Sequence, residues 1–595
     1  MKLSDYVAQK LSALGIKQVF MITGGGAMHL NQSIGSHPDL NCTFNHHEQA
    51  CAIAAESYFR LTNTPALVNV TTGPGGTNAL TGVHGAWTDS LGMLIISGQV
   101  KYPTTVHSTG LSLRQLGDQE VDIVKVVSPI TKYSVMITDP STIRYHLEKA
   151  LYLCASGRPG PCWIDIPIDI QGAQISPDKL KGFTPAELNE SWKKTDLTQA
   201  ARNILEKIAE AKRPVIFAGT GVRLCGQHEA FIKLIERLNI PVVTGWNAHD
   251  VLWNDHPCYA GRPGSVGTRG GNFVTQNADL LLILGSRLNI RQVSYNWENF
   301  APKAYKIWVD IDHNEMQKPT INSQMPIHAD LNEFLPVLVN ETTSIISDNF
   351  SDWLDWCRDI NARYPVVLKE YWKSERINPY CFMDQLFRQL REGQITVCAN
   401  GSACVIGFQT AYIQKHQRLW TNSGCASMGY DLPAAIGAFK ASKRAVICLA
   451  GDGSIMMNLQ ELQTIAGEKM PIKIFLINNG GYSSIFQTHR NFFNGNEIGA
   501  SPKSGVSFPD FSKLSLAFGL SYFSCTSHDE MKHAIDNALT TQGPVLCEVF
   551  VDENQPFAPK LSSKQLPDGT IVSPSLEDMS PFLPEDELKQ NMIHE

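Results

Sequence analysis

The stretch Ala445-Val446-Ile447-Cys448-Leu449-Ala450-Gly451-Asp452-Gly453 is an apolar run of strand length that ends in a Gly-Asp-Gly turn. A second apolar run begins at Ile472 and ends in an Asn-Asn pair, so that Asp452 and Asn479 are 27 residues apart. Between the two runs, Met457 to Lys469 is predicted to form one helix. A strand-helix-strand unit places both strand ends at the same edge of a parallel sheet, where open α/β sheets bind ligands. The sequence therefore predicts that Asp452 and Asn479 are neighbours.

This pair of residues has the chemistry of a magnesium site. A carboxylate and a side-chain amide oxygen are hard ligands that suit Mg²⁺, which usually shares its coordination with the phosphates of a ligand. The glycines on either side of Asp452 allow the backbone to approach a diphosphate closely. The alternative is an ordinary pair of turns, since Gly-Asp and Asn-Gly are good turn formers.

A second candidate site lies near the N-terminus, in Asn45-His46-His47-Glu48-Gln49-Ala50. The small residues that follow, Cys51 to Glu56, favour a helix with Glu48 in its first turn. Glu48 could simply complement the helix dipole. It could also supply a carboxyl group for proton transfer.

Several further motifs, in a fixed order along the chain, favour the functional interpretations of Glu48, Asp452 and Asn479 over the structural ones. Thr71-Thr72-Gly73-Pro74-Gly75-Gly76-Thr77-Asn78, Ser97-Gly98-Gln99-Val100 and Met428-Gly429-Tyr430-Asp431-Leu432-Pro433-Ala434-Ala435 accompany the Glu48 and Asp452 motifs. Together they resemble the acetolactate synthase and pyruvate oxidase group of thiamine diphosphate enzymes. The resemblance extends from residue 1 to about residue 555.

The resemblance implies an α/β fold of three domains, each a doubly wound parallel sheet. The expected domains are a pyrimidine-binding domain at 1–176, a central domain at 190–345 and a diphosphate- and Mg²⁺-binding domain at 370–555. Residues 177–198 are charged and polar and are expected to be a linker. The tail at 556–595 is expected to drape over the surface, where it could also cover the mouth of the active site.

The family's functional residues can be assigned by position. Glu48 would activate the cofactor, with His47 and Gln119 as candidates for proton transfer and oxyanion stabilisation; His46 is equally well explained as structural. Asp452, Asn479 and the Gly481 carbonyl would hold Mg²⁺. Met428 would support the bent cofactor and the Ala426 carbonyl would accept a hydrogen bond from its aminopyrimidine. The remaining expected contacts with thiamine diphosphate are Gly25, Pro74, Asn78, Gly401, Ser402, Gly451, Gly453, Ser454 and Tyr482.

The middle of the chain resembles the stretches that hold FAD in acetolactate synthases. The matching segments are Gly219-Thr220-Gly221-Val222-Arg223, Gly285 to Arg291 and Val309-Asp310-Ile311-Asp312. Gly219, Arg223, Arg287, Arg291 and Asp310 are the expected contacts, because arginines pair with a diphosphate and glycine turns cradle it. FAD would be structural rather than redox-active. The same domain is empty in some relatives, so an empty site is the alternative.

The resemblance implies that a 2-oxo acid, with pyruvate favoured, is decarboxylated and its acyl unit joined to a carbonyl acceptor. Acetolactate synthases carry tryptophan where this chain has Thr488, and phenylalanine where it has Asp118. Losing two apolar aromatics favours a larger and more polar acceptor, such as a keto-sugar or another hydroxylated ketone. A conventional acetolactate synthase and an FAD-dependent pyruvate oxidase are the alternatives. His489 could contact the acceptor, although a solvated loop histidine is favoured.

Composition sets further bounds on the function. The net charge of −7 and the pI of about 6.2 give no basic footprint for nucleic acid. The 14 cysteines lack paired metal spacing, and Cys51, Cys448 and Cys547 are expected to be buried thiols in a reducing compartment. No signal core or run of membrane length is visible, so we expect a cytoplasmic protein without membrane partners.

The resemblance implies a homodimer or homotetramer in which Glu48 of one subunit meets the metal site of another.

Overall fold

The computed structural model describes residues 1–188, 195–342, 350–565 and 568–593. The expected limits of the central domain, residues 190 and 345, lie outside these ranges, as does part of the expected linker. Three all-parallel sheets of six, five and six strands form the framework. The predicted class, three parallel-sheet α/β domains, is confirmed.

The N-terminal sheet has the strand order β2-β1-β3-β4-β6-β5. Its strands are β1 (Gln18–Met21), β2 (Asn41–Phe44), β3 (Leu67–Val70), β4 (Met93–Gln99), β5 (Tyr133–Met136) and β6 (Pro161–Pro167). The helices around it are α1 (Leu3–Ala13), α2 (Met28–Gly35), α3 (Glu48–Thr62), α4 (Pro74–Asn78), α5 (Leu80–Thr88), α6 (Val106–Thr109), α7 (Ile123–Val127), α8 (Ile143–Ala155) and α9 (Ile168–Gly172).

The central sheet has the order β11-β10-β9-β7-β8. Its strands are β7 (Pro214–Ala218), β8 (Val242–Thr244), β9 (Leu280–Leu284), β10 (Tyr305–Asp310) and β11 (Met325–His328). The accompanying helices are α10 (Leu197–Glu210), α11 (Gly221–Leu224), α12 (His228–Leu238), α13 (Arg269–Asn277), α14 (Ile290–Val293), α15 (His313–Met316), α16 (Leu331–Glu341) and α17 (Ser351–Arg363).

The C-terminal sheet has the order β13-β12-β14-β15-β17-β16. Its strands are β12 (Ile395–Cys398), β13 (Arg418–Trp420), β14 (Val446–Gly451), β15 (Ile472–Asn478), β16 (Ser521–Cys525) and β17 (Val545–Phe550). The helices are α18 (Pro379–Gln389), α19 (Ser402–Thr410), α20 (Asp431–Ser442), α21 (Asp452–Ile455), α22 (Glu461–Gly467), α23 (Ser483–Phe492), α24 (Phe511–Phe518) and α25 (His528–Thr540). Counted from its own first strand, this sheet repeats the order of the N-terminal sheet, in line with two related units.

The N-terminal and C-terminal units meet through two helices that lack bulky side chains at their contact. A Cβ atom on Gly437 of α20 would lie 2.1 Å from the carbonyl oxygen of Ala54 in α3. A larger residue at position 437 would force these backbones apart. This contact fixes α3 against the C-terminal sheet, and with it the position of Glu48 at the first turn of α3.

The prediction of one continuous helix from Met457 to Lys469 is wrong. The structure has a 3-10 turn at Met456–Asn458, followed by α22 at Glu461–Gly467. Asn458 is fully buried, and its side-chain amide donates to the Gly429 carbonyl and to Gln49 Oε1. These long-range bonds compete with helix geometry, which asparagine favours only weakly.

The C-terminal tail is part of the central unit and does not merely drape over the surface. It contains the antiparallel pair β18 (Lys564–Gln565) and β19 (Ile571–Val572) and the helix α26 (Glu585–Gln590). Leu576 and Met579 are 2% and 0% exposed, and Leu576 belongs to the central hydrophobic core. Asn272 of α13 donates to the Leu576 carbonyl at 2.7 Å. The tail therefore completes the core beside α13.

Two other expectations concern the whole chain. Cys51, Cys448 and Cys547 are buried free thiols, as predicted, and burial raises the pKa of each. Within the described ranges, every helix is too short or too polar to cross a lipid bilayer.

Candidate active site

Asp452 and Asn479 lie at the ends of two neighbouring strands, as predicted. β14 and β15 pair in parallel up to Gly451 and Ile477, so the two polar residues follow adjacent strand ends. The Gly453 amide donates to Asp452 Oδ1 at 2.8 Å and the Gly481 amide donates to Oδ2 at 2.9 Å. The backbone thus fixes the carboxylate and brings Gly481 beside it.

One buried atom of this corner, Asn479 Oδ1, fits a ligand of a divalent cation. Asn479 donates through Nδ2 to the Ser402 hydroxyl at 2.9 Å, while its Oδ1 is buried without a hydrogen-bond partner in the described part of the chain. A buried acceptor of this kind requires an explanation, and a metal ion supplies one. Burial also raises the pKa of Asp452 to about 7. A bound cation would stabilise its charged form.

Met428 and Tyr482 converge on the Gly-Asp-Gly turn. A Cβ atom on Gly453 would lie 2.2 Å from Tyr482 Cε1 and 3.5 Å from Met428 Cε, so only glycine fits between them. Gly451 faces open space, with nothing within 4 Å of a Cβ. Ser454 has a structural contact through its side chain, because it accepts from the Gly429 amide and donates to Asp431.

The other expected diphosphate and pyrimidine contacts flank this corner. Ser402 begins α19 after Gly401, whose φ of +82° favours glycine. The start of this helix, beside Asn479, is suited to bind an anion. Ala426 has a φ of +57°, a strained conformation for alanine, so the surrounding loop holds its carbonyl in a fixed direction.

Glu48 is held by a second predicted residue, Asn78. The Asn78 amide donates to Glu48 Oε2 at 3.0 Å, which leaves Oε1 as the oxygen that can carry a proton. Asn78 ends α4, which begins at Pro74 immediately after Gly73. Gly25 lies in the 3-10 turn after β1, at the same edge of the sheet.

His47 caps α3, and its cap contact defines the tautomer of its neutral ring. The Gln49 amide donates to His47 Nδ1 at 3.1 Å, so Nε2 carries the hydrogen and can act as a donor. The neighbouring His46 amide donates to Glu461 Oε1 at 2.9 Å. This backbone contact supports a structural role for His46.

Glu461 was not singled out from the sequence. Its buried carboxylate accepts from Asn45, His46 and Thr464, and so ties the C-terminal unit to the segment that precedes Glu48. A glutamate within a predicted helix gives no signal of a partner more than 400 residues away.

Gln119 lies in the segment between β4 and α7 and has a φ of +64°. A Cβ atom on Gly73 would lie 2.1 Å from the Gln119 carbonyl oxygen. The structure therefore places Gln119 beside the turn that begins α4. Glu48 contacts Asn78, the last residue of α4, and the Gln119 carbonyl lies beside Gly73, which precedes the first residue of α4.

A cavity of about 310 Å³ lies beside the central sheet and includes residues of all three units. Gly219, Arg287 and Asp310 line it, as the FAD assignment requires. Arg223 and Arg291 are not among its lining residues. Arg223 pairs with Asp250, and burial lowers its pKa to about 10, while Arg291 lies over the Trp246 ring at 5.2 Å.

The chemistry of this cavity fits a dinucleotide. A Cβ atom on Gly219 would lie 2.2 Å from the Gly285 carbonyl oxygen, so the glycine turns expose backbone at close quarters. Asp310 ends β10, and burial raises the pKa of its carboxyl to about 6. An acidic residue at a strand end suits ribose hydroxyls.

Arg158 is a cavity residue that the sequence analysis missed. It lines the cavity from the N-terminal unit and pairs with Asp312 at 2.7 Å and with Glu315 at 2.9 Å. Its only sequence signal is its position in a Gly-Arg-Pro turn before β6.

Helix α23, which follows Tyr482, contains Thr488 and His489, two of the three residues considered for the acceptor; the third, Asp118, is exposed in the segment between β4 and α7. Thr488 is exposed, and its hydroxyl donates to the Ser484 carbonyl at 3.0 Å. His489 is helical and half-buried, so the prediction of a solvated loop histidine is wrong. Its Nδ1 is buried without a hydrogen-bond partner among the described residues.

Comparisons with known proteins agree with this geometry. Three family models match in order: the thiamine pyrophosphate enzyme N-terminal TPP binding domain at residues 1–126, the central domain at 201–338 and the C-terminal TPP binding domain at 399–549. Thiamine pyrophosphate is another name for thiamine diphosphate. The fold and the site thus define a thiamine pyrophosphate-dependent enzyme.

Curated relatives narrow the class. The acetolactate synthase large subunit of Corynebacterium glutamicum is 32% identical over 94% of this chain and 88% of its own length. Acetolactate synthase isozyme 2 large subunit of Escherichia coli is 30% identical over 97% of this chain and 100% of its own. Chloroplastic acetolactate synthase 1 of Zea mays is 30% identical over 94% of this chain and 87% of its own length. The chain belongs to the acetolactate synthase-like family of thiamine pyrophosphate enzymes.

Proposed function

We propose that this enzyme decarboxylates a 2-oxo acid, with pyruvate favoured, and joins the acyl unit to a keto-sugar or another hydroxylated ketone. The similarity to acetolactate synthases supports pyruvate as the donor. The observation that carries the acceptor assignment is Thr488, a small exposed polar residue where the resemblance places tryptophan. Conventional acetolactate formation is the alternative.

When bound, thiamine diphosphate supplies a carbon nucleophile and an electron sink for loss of CO₂. The chain's own residues supply position and proton transfer. Glu48, held at Oε2 by Asn78, can hold or release a proton at Oε1. His47 can donate from Nε2 to a developing oxyanion, and we assign the Gln119 amide the same type of role.

We propose that Asp452, Asn479 and the Gly481 carbonyl would hold Mg²⁺, whose charge would favour binding of the diphosphate. The residues assigned to the diphosphate and pyrimidine are Gly25, Pro74, Asn78, Gly401, Ser402, Ala426, Met428, Gly451, Gly453, Ser454 and Tyr482. Asn479 Oδ1, which is buried without a hydrogen-bond partner in the ranges that the structure describes, supports the metal assignment.

We further propose a homodimer or homotetramer with active sites between subunits. In the single chain, Phe44, at the end of the strand that precedes Glu48, is 53% exposed, and Met28, at the start of α2 directly after the Gly25 turn, is 52% exposed. Exposed apolar side chains at a functional edge support a covering subunit. We retain domain limits of 1–176, 190–345 and 370–555, and join the packed tail to the central unit.

The acceptor assignment predicts a simple pattern of products. With thiamine diphosphate, Mg²⁺ and pyruvate, we expect little acetolactate from pyruvate alone, and an acetyl-sized mass gain on a nucleotide keto-sugar or a diketone. CO₂ release and product masses measure both outcomes. Thr488→Trp should shift the products toward acetolactate, because an indole reduces the space for a large acceptor.

Thr488→Val is the matched control, since it keeps the residue's volume but removes the hydroxyl bond to Ser484. It should leave acceptor preference unchanged. Rapid acetolactate formation by the wild-type enzyme from pyruvate alone would make it a conventional synthase and refute the argument from Thr488 and Asp118. Oxygen consumption with pyruvate alone would instead indicate a pyruvate oxidase.

We propose that the central cavity binds FAD in a structural role, with Gly219, Arg287 and Asp310 as contacts. The purified protein should then release flavin on denaturation, measured by its visible absorption. Asp310→Asn should weaken FAD binding about tenfold, because a charged hydrogen-bond acceptor is lost. Asp196→Asn, at the cap of α10, is the control and should bind normally. Wild-type protein that neither retains nor binds FAD would refute this assignment.

A further inference from the structure

The segment between β4 and α7 contains little regular structure, yet it includes Gln119. A 3-10 turn at Tyr102–Thr104 and the short helix α6 interrupt it, and Leu111, Leu113 and Leu116 are all more than 40% exposed. A segment with so few buried side chains would be mobile unless another group fixed its backbone.

Glu120 is that group. Its side chain is only 8% exposed, although it follows directly after exposed residues. Its Oε1 accepts from the Val106 amide at 2.5 Å. Its Oε2 accepts from the Leu116 amide at 3.0 Å and from the Gly117 amide at 3.1 Å. One carboxylate thus satisfies three backbone donors, one at the start of α6 and two just before Gln119.

The next residue is fixed independently. Gln99, at the end of β4, donates through Nε2 to the Val121 carbonyl at 3.0 Å and to Asp165 Oδ2 at 3.1 Å. Asp165 also accepts from the Ser97 hydroxyl. The backbone is therefore held on both sides of Gln119: at Leu116 and Gly117 by the Glu120 carboxylate, which acts as a clamp, and at Val121 by Gln99.

The clamp places Gln119 against the turn that leads to the Glu48 contact. The Gln119 carbonyl oxygen is so close to Gly73 that a Cβ atom at position 73 would lie 2.1 Å from it. Only glycine at position 73 permits this approach. Gly73 has a φ of +61° and caps α4, whose last residue, Asn78, donates to Glu48. A shift of the segment would move Gln119 relative to Glu48.

We propose that Glu120 is a positioning residue: its carboxylate binds the amides of Val106, Leu116 and Gly117 and thereby fixes Gln119 for the reaction. This inference depends on the proposed role of Gln119. A neutral amide at position 120 cannot replace the carboxylate, because its NH₂ group would face backbone donors. Aspartate keeps the charge on a shorter side chain.

The first test is amide hydrogen exchange of the full-length protein, which requires no substrate. In Glu120→Gln, the amides of residues 106–119 should exchange at least about tenfold faster than in the wild type, since they lose a charged acceptor. The rest of the chain should be unchanged. Glu120→Asp should recover part of the protection. Unchanged exchange in Glu120→Gln would overturn the clamp, whatever reaction the enzyme catalyses.

The second test is kinetic and uses CO₂ release from pyruvate by the cofactor-loaded enzyme. Glu120→Gln should lower kcat about 10- to 100-fold with little change in KM, the effect of a misplaced group near the reaction. In a Gln119→Ala background the same change should have almost no further effect. Full additivity of the two substitutions would overturn the positioning role.

Glu187→Gln is the matched control, because Glu187 also accepts a backbone amide, that of Thr184, but in a segment remote from these residues in sequence. It should leave kcat unchanged. A wild-type enzyme that released no CO₂ from any 2-oxo acid would overturn the proposed function, whereas the exchange test would still decide whether Glu120 fixes the segment.

Discussion

Replacing Glu48 with glutamine is expected to lower CO₂ release from pyruvate by about 10²- to 10⁴-fold, the range for loss of a positioned acid–base group. Asn78 can still donate to the amide oxygen of glutamine, so the local geometry should survive. Thiamine diphosphate affinity, followed by tryptophan fluorescence, and the melting temperature should remain close to those of the wild type. The lost property is the ability to exchange a proton at Oε1.

The control for this substitution is Glu229→Gln. Glu229 is also a glutamate in the first turn of a helix, α12, but it belongs to the central unit. If Glu48 only complements a helix dipole, the two variants should behave alike. Normal turnover by Glu48→Gln would exclude the assigned role.

Replacing Asp452 with alanine is expected to weaken Mg²⁺-dependent binding of thiamine diphosphate by at least about 100-fold, since even outer-shell partners of a metal contribute 10- to 100-fold. Isothermal titration calorimetry with and without Mg²⁺ measures this effect. The substitution removes the carboxylate that accepts hydrogen bonds from the Gly453 and Gly481 amides. The Gly481 carbonyl should also lose its fixed direction.

Asp452→Asn separates charge from hydrogen bonding at the same site. It keeps an acceptor oxygen for one of the two amides but removes the negative charge, so its affinity for the cofactor should lie between alanine and wild type. Circular dichroism of the cofactor-free variants should match that of the wild type. Unchanged affinity in Asp452→Ala would refute the metal assignment.

The parts of the site that could be predicted are short motifs whose structure depends on residues nearby in the sequence. Asp452 and Asn479 could be paired because parallel strands separated by one crossover end at the same edge of a sheet, and the structure confirms that proximity. His47 and Glu48 could be placed at a helix start from the small residues that follow them. Each inference required only hydrophobic pattern and turn chemistry.

Features that depend on distant partners were not predictable. The break in the helix predicted after Met457 results from Asn458 bonding to Gln49 and Gly429, and the acidic, proline-containing tail gave no sign that Leu576 joins the central core. Arg223 and Arg291 matched FAD-holding stretches, yet neither lines the cavity, because Arg223 pairs with Asp250 and Arg291 lies over the Trp246 ring. Tertiary contacts override local preference in each case.

The sequence by itself determined the three parallel sheets and the family, because hydrophobic periodicity and glycine-rich turns are encoded by neighbouring residues. Only the tertiary structure decided which atoms remain available for chemistry: the Oδ1 of Asn479, which has no hydrogen-bond partner among the described residues, and the Glu48 oxygen not bonded to Asn78. It also decided that the Glu120 carboxylate accepts from the Leu116 and Gly117 amides, just before Gln119. The physical reason is that hydrogen-bond satisfaction is a property of packed neighbours, many of them hundreds of residues apart.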